Sequence, residues 1–298
     1  MSRSYDFQQV DVFTDHIFGG NPLAVFTDAR SLSDAEMQAI ALEMNLSETT
    51  FVLPPDDPAH AARVRIFTTS TELPFAGHPT VGTAWVLARM GVIPPGDREA
   101  TLELGIGPTK VTLEGPDGQP ETVWMHQRHA EFGEIVEDRA AVAEALNLDP
   151  GDLLPDLPVQ VGSTGLPFLY VPLRSAEVVD RARLTSTGVA NSAGARGVFI
   201  FASEPGSNRA YSRMIATMGG TPWEDPATGS ASGPLGAYMV RYGLAGPGDK
   251  VEIVSEQGTQ MGRQSFVHIR VTASEGQPGA IDVGGGVVPA LEGRLVLP

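Results

Sequence analysis

Two segments of the chain are apolar on nearly every side of a helical wheel. One runs over residues 79–91 and carries Val81, Ala84, Trp85, Val86, Leu87 and Met90; the other runs over 231–243 and carries Leu235, Ala237, Tyr238, Met239 and Val240. Such a pattern predicts a buried helix rather than a surface one. Pro79 or Ala231 would lie near the helix start, and Gly91 or Gly243 would end it, in keeping with the preference for proline early and glycine late. A strand precedes each helix, at 64–69 and 211–216, and a turn containing Pro and Gly joins the two elements.

Short runs rich in Val, Ile, Phe and Thr, bounded by Gly, Pro or Asp, predict the other strands. They fall at 5–13, 23–26, 49–53, 101–104, 110–114 and 122–126, and then at 159–162, 168–172, 198–202, 251–255, 266–272, 280–283 and 294–297. Two amphipathic helices lie among them. The first opens with Ser33-Asp-Ala-Glu36, a capping box, and places Met37, Ile40, Ala41 and Met44 on one face. The second covers 138–146.

The two apolar helices belong to a repeat. Glu72 to Val92 aligns on Glu224 to Leu244 without a gap, at an offset of 152 residues. Glu72 meets Glu224, Pro74 meets Pro226, Gly77 meets Gly229, Arg89 meets Arg241 and Gly91 meets Gly243. The identities fall at turn and cap positions. They imply a duplicated unit in which a strongly curved sheet wraps a central helix, with small residues such as Gly82, Ala84, Gly233 and Gly236 letting strands come close. A chain of 298 residues suits two domains of this kind. The expected division is 1–120 together with a C-terminal strand at about 285–298, and 121–284, with the linker at 115–121 or near Gly133. The fold class is α+β: two pseudo-symmetric domains, each a mainly antiparallel curved sheet or barrel around an apolar helix.

Composition narrows the function. Lys and Arg number 20 against 36 Asp and Glu, for a net charge of −16, so no basic patch for nucleic acid is expected. No apolar run approaches the roughly 20 residues of a membrane span. The start of the chain lacks a signal-peptide core, and a cytoplasmic protein is expected. There are no cysteines, which excludes disulfides, thiolate nucleophiles and Cys-based metal sites. His126 and His129 lack a further ligand cluster, so no metal is expected. No Walker motif or dinucleotide fingerprint is present, and no cofactor is expected.

The candidate chemistry gathers at the two glycine turns. Helix N-termini present N–H groups and attract anions. Facing each other across a cleft, the turns at Gly77 and Gly229 would suit a small carboxylate. His78 and Ser230 stand at their tips. The positive end of the helix dipole favours neutral imidazole at His78. Glu72 and Glu224 read as structural partners of Arg65 and Arg213. Asp225 has no counterpart in the first copy, where Leu73 stands, and this asymmetry points to function. Glu48, at the mouth of an apolar strand, is placed where partial desolvation would strengthen a carboxylate base.

Five motifs together resemble the phenazine-biosynthesis PhzF-like isomerase family along nearly the whole chain. They are Phe18-Gly-Gly-Asn-Pro-Leu-Ala-Val25, Asn45-Leu-Ser-Glu-Thr-Thr-Phe51, Glu72-Leu-Pro-Phe-Ala-Gly-His-Pro-Thr80, Glu224-Asp-Pro-Ala-Thr-Gly-Ser-Ala231, and Glu256-Gln-Gly258 followed by Met261-Gly-Arg263. The resemblance implies a diaminopimelate-epimerase-like fold with the active site between the domains. It implies a cofactor-independent isomerase in which Glu48 is the general acid/base and moves a proton on a small carboxylated substrate. His78, Asp225 and Ser230 would assist, the amides at Gly77 and Gly229 would bind the carboxylate, and Asn21 would line the same cleft. A homodimer is implied as well. In the cysteine-dependent racemases of this fold group a cysteine follows each glycine turn; here His78 and Ser230 stand there, which argues against thiol chemistry. The competing reading is a non-catalytic small-carboxylate-binding protein that retains the cleft.

Overall fold

The structure, a computed structural model, describes residues 2–218 and 221–298. The chain divides into two units, Met1–His126 with Gly284–Pro298, and Gln127–Val283.

In the first unit, β1 (Arg3–Val12) pairs antiparallel with β2 (Asn21–Phe26). The chain crosses over through α1 (Asp34–Met44), and β3 (Glu48–Leu53) lies parallel to β2. β4 (Ala62–Phe67) is antiparallel to β3 and makes a short hairpin with β5 (Glu72–Leu73). After α2 (Gly77–Arg89), β6 (Glu99–Leu104) lies parallel to β4, and β7 (Gly107–Glu114) and β8 (Thr122–Gln127) follow antiparallel. The boundary expected after residue 120 falls after His126, because Thr122 to Met125 are held by β7.

The second unit contains β9 (Glu131–Ile135), α3 (Arg139–Ala145), β10 (Gln160–Ser163), β11 (Pro167–Pro172), α4 (Ala176–Arg181), α5 (Gly188–Ser192), β12 (Val198–Ala202), β13 (Arg209–Met218), β14 (Thr221–Asp225), α6 (Gly229–Arg241), β15 (Lys250–Gln257), β16 (Ser265–Ser274) and β17 (Gln277–Gly285). The last strand, β18 (Val287–Leu297), returns to β1 in the first unit. From β10 to β16 the pairings are antiparallel, parallel, antiparallel, parallel and antiparallel. From β1 to β7 the sequence of pairings is the same. The repeat read at the two helices thus extends through the sheets around them.

Both central helices are 13 residues long and start and stop at the same places in the repeat. They start at Gly77 and Gly229, two residues before the expected Pro79 and Ala231. The glycines and the residues that follow them form the first turn, where backbone N–H groups need no intrahelical partner. Both helices end in a Schellman motif: Gly91 and Gly243 take φ of 73° and 68°, while Val92 and Leu244 donate back to Leu87 and Met239. Every residue from Gly77 to Ala88 and from Gly229 to Val240 is buried. Close packing explains two of the glycines. A Cβ on Gly82 would stand 2.7 Å from the Leu23 side chain, and one on Gly236 would stand 2.6 Å from that of Ile269.

The other face of each sheet has its own core. In the first unit Met37, Ile40 and Ala41 of α1 cover Phe26, Phe51 and Phe67. In the second unit Val142, Val178, Val179 and Ala190 from α3, α4 and α5 cover Leu169, Val171, Val198 and Ile200. The capping box at Ser33 and Glu36 is formed, with Ser33 N–H donating to Glu36 and Glu36 N–H to Ser33. No helix among the described residues is long and apolar enough to cross a membrane.

Candidate active site

The first unit assembles three of the sequence-derived candidates. Glu48 is the first residue of β3, His78 the second residue of α2, and Asn21 the first residue of β2. β2 and β3 are parallel neighbours, with Leu23 opposite Glu48. Glu48 Oε2 lies 3.5 Å from His78 Nε2, and Asn21 Nδ2 lies 3.2 Å from His78 Nδ1. His78 is 3% exposed and Asn21 is fully buried, whereas the Glu48 side chain keeps 14% of its surface open. Burial pushes the His78 pKa down to about 3, so the ring is neutral at physiological pH. The neutral form was expected from the helix dipole; loss of hydration is the dominant cause.

The second unit places Asp225 at the end of β14 and Gly229 and Ser230 at the start of α6. Asp225 and Ser230 are each 4% exposed. The Asp225 carboxylate accepts a 2.6 Å hydrogen bond from the Thr228 hydroxyl. Gln257 is fully buried and completes the arrangement: its amide donates to the Asp225 carbonyl and to Thr228 Oγ1, and its Oε1 accepts from Thr228 N–H. Gln127 steadies the helix start by donating to the Gly229 carbonyl and accepting from the Thr164 hydroxyl. A Cβ at Gly233 would stand 1.9 Å from Gln127 Oε1, so a side chain there would push the Gln127 amide out of this arrangement.

The two helix starts share features that the repeat dictates. Thr80 donates to the Ala76 carbonyl and Ser232 donates to the Thr228 carbonyl, a hydroxyl brace at equivalent places. Neither helix has a side-chain cap. Ala76 has no group to offer, and Thr228 gives its hydroxyl proton to Asp225. Neither helix has an acidic residue in its first turn. α1 differs on both counts, being capped by Ser33 with Asp34 and Glu36 in its first turn. First-turn N–H groups without a protein cap are suited to an anionic ligand.

Sequence reasoning did not single out Thr228, Gln257 or Gln127. Gln257 lies in the Glu256-Gln-Gly258 motif, where the signal was the glycine: Gly258 has φ of 74°, and a Cβ there would meet the Arg263 carbonyl at 2.4 Å. The suspected pairs Arg65–Glu72 and Arg213–Glu224 are both present as two-pronged ion pairs. His126 hydrogen-bonds Thr112, and no group of three or more His, Asp or Glu among the described residues could hold a metal ion.

Residues 10–293 match the family PhzC-PhzF, described as phenazine biosynthesis-like protein. An uncharacterized isomerase of Mesorhizobium japonicum is 36% identical, covering 96% of this chain and 97% of its own. The trans-2,3-dihydro-3-hydroxyanthranilate isomerase of Pseudomonas aeruginosa is 35% identical, covering 97% and 98%. Among solved structures, the Bacillus anthracis phenazine biosynthesis protein of the PhzF family superposes with a TM-score of 0.87 at 26% identity, covering 99% of this chain and all of that one.

Proposed function

The chain belongs to the phenazine biosynthesis-like family, and on that premise we propose that it is a cofactor-independent isomerase with Glu48 as the general acid/base. The reaction is a proton shift on a small carboxylated substrate. Glu48 removes a proton from carbon, the electron pair moves into the adjoining unsaturated system, and the proton returns at another carbon. Atoms balance and no oxidant or reductant is needed. The observation that carries this reading is the pairing of a partly open carboxylate, Glu48, with a buried neutral imidazole, His78, at 3.5 Å. That separation is longer than a hydrogen bond, so neither group is locked to the other. The first-turn N–H groups at Gly77 and Gly229 are the donors for the substrate carboxylate and for charge that develops during transfer. Asp225 and Ser230 orient its remaining polar groups. In this proposal the protein is a cytoplasmic homodimer.

The test is deuterium incorporation from D2O and product formation. The panel would include trans-2,3-dihydro-3-hydroxyanthranilate, the compound named for the Pseudomonas relative, together with other small cyclic and amino-acid carboxylates. Glu48→Gln should keep the circular dichroism spectrum and ligand affinity while kcat falls by about 10²–10⁴-fold, the usual contribution of a general base. Wild-type turnover in that variant would remove Glu48 from the mechanism. Binding without any deuterium exchange across the panel would instead support the non-catalytic carboxylate binder.

A further inference from the structure

We propose that Asn21 is a positioning residue that sets the tautomer of His78, so that the ring presents Nε2–H toward Glu48. The inference rests on the acid/base reading above for its catalytic meaning, and on geometry alone for the tautomer. An amide NH2 can only donate, so His78 Nδ1, 3.2 Å from Asn21 Nδ2, must accept. A neutral imidazole carries one proton. With Nδ1 acting as acceptor, that proton sits on Nε2, the nitrogen 3.5 Å from Glu48 Oε2. No hydrogen-bond partner for Nε2 is found among the described residues, so its N–H remains available to a substrate oxygen or to the carboxylate as it takes up a proton. The opposite tautomer would put a bare nitrogen lone pair against the Glu48 carboxylate and leave no donor on that side.

The local backbone is built to deliver Asn21. The turn before it holds Phe18 at φ of 69°, a left-handed conformation that is uncommon away from glycine. The buried Asp11 carboxylate accepts from Phe18 N–H at 2.7 Å and stabilises that conformation. Gly20 follows at φ of 62°, with a hypothetical Cβ only 2.3 Å from the Val12 carbonyl. Strained turns persist where the surroundings over-determine them, and they concentrate at functional sites. Here the turn returns the chain to β2 with Asn21 buried against the imidazole instead of facing solvent.

The experiment uses the full chain labelled with 15N-histidine, with His78→Gln to assign the His78 signals. The expected wild-type spectrum shows a protonated Nε2 and an unprotonated, hydrogen-bonded Nδ1. A protonated Nδ1 in the wild type overturns the proposal without any variant being needed. In Asn21→Leu, which is close in volume and has no donor, the Nδ1 resonance should move and kcat should fall by about 10²-fold with KM little changed, the scale on which misplacement of a catalytic group acts. An unmoved Nδ1 resonance refutes the hydrogen bond. A moved resonance with unchanged kcat refutes the positioning role. The tautomer is read on the free protein, so it is decided whether or not Glu48→Gln abolishes turnover, and the two readings fail separately.

Discussion

The two units run the same strand pairings around the same 13-residue helix, yet they bury different chemistry at its start. In the first unit the frame pair Arg65–Glu72 is partly exposed, and its Arg65 also reaches the exposed Asp34. In the second the equivalent pair, Arg213–Glu224, is largely buried: the Arg213 side chain is 8% exposed, and its guanidinium also donates to the carbonyls of Val179, Asp180 and Ala182 at the end of α4. At the helix tip His78 faces Glu48 in one unit, while Ser230 follows an Asp225 held by Thr228 in the other. Duplication preserved the turns and caps, which any such helix needs, and left the tips free to diverge. Equivalent positions in this chain thus share their backbone structure and differ in the polar groups they bury.

The largest expected effect tests whether equivalent frame pairs matter equally. Arg213→Ala leaves a half-buried carboxylate and three carbonyls without the Arg213 donor, and should cost about 3 kcal/mol in urea unfolding. Arg65→Ala should cost about 1 kcal/mol or less, because exposed pairs contribute little. Equal losses in the two variants would erase the contrast drawn here.

A smaller effect is expected at the second helix tip. Thr228→Val removes a hydroxyl that donates to Asp225 and should cost about 1–3 kcal/mol, the range for a buried acceptor that loses a donor. The same unfolding measurement applied to Thr80→Val, which lacks the carboxylate partner and loses only a bond to a helix carbonyl, should show a smaller loss.

A further effect is spread over a range of pH and separates the histidine-bearing tip from the serine-bearing one. The folded-state pKa of His78 lies at about 3, below its ordinary value of 6.5. Below about pH 6.5 the unfolded chain therefore takes up a proton that the folded chain refuses. Stability is unaffected by this group at higher pH and declines as pH falls from about 6.5 toward about 3, with a slope of up to about 1.4 kcal/mol per pH unit. His78→Gln should flatten that window, whereas Ser230→Ala should leave it unchanged. A wild-type profile that is flat between pH 6 and pH 4 would contradict the neutral, desolvated ring.

Much of this architecture is legible in the sequence because it is local. The capping box at Ser33, the glycine stops at Gly91 and Gly243, and the all-apolar helices follow from residue types at short spacings. Most strands also fall where runs of Val, Ile, Phe and Thr place them. β9, Glu131–Ile135, escapes because Glu131, Gly133, Glu134 and Ile135 are exposed and only Phe132 is partly covered, so no alternation marks it. Its strand character comes from pairing with β10.

The sequence by itself determined the duplication, the buried helices and the short list of polar residues at their tips, since turn chemistry and hydrophobic periodicity act over a few residues. Only the tertiary structure decided which of those residues meet and which others join them. Asn21, Glu48 and His78 are brought within reach by the parallel pairing of β2 with β3 and by packing against α2, and Asp225, Thr228 and Gln257 meet through a turn and a distant strand. The environment of His78 was decided in the same way: an imidazole pKa depends on how much water the surrounding elements exclude, and that exclusion exists only after the chain has packed.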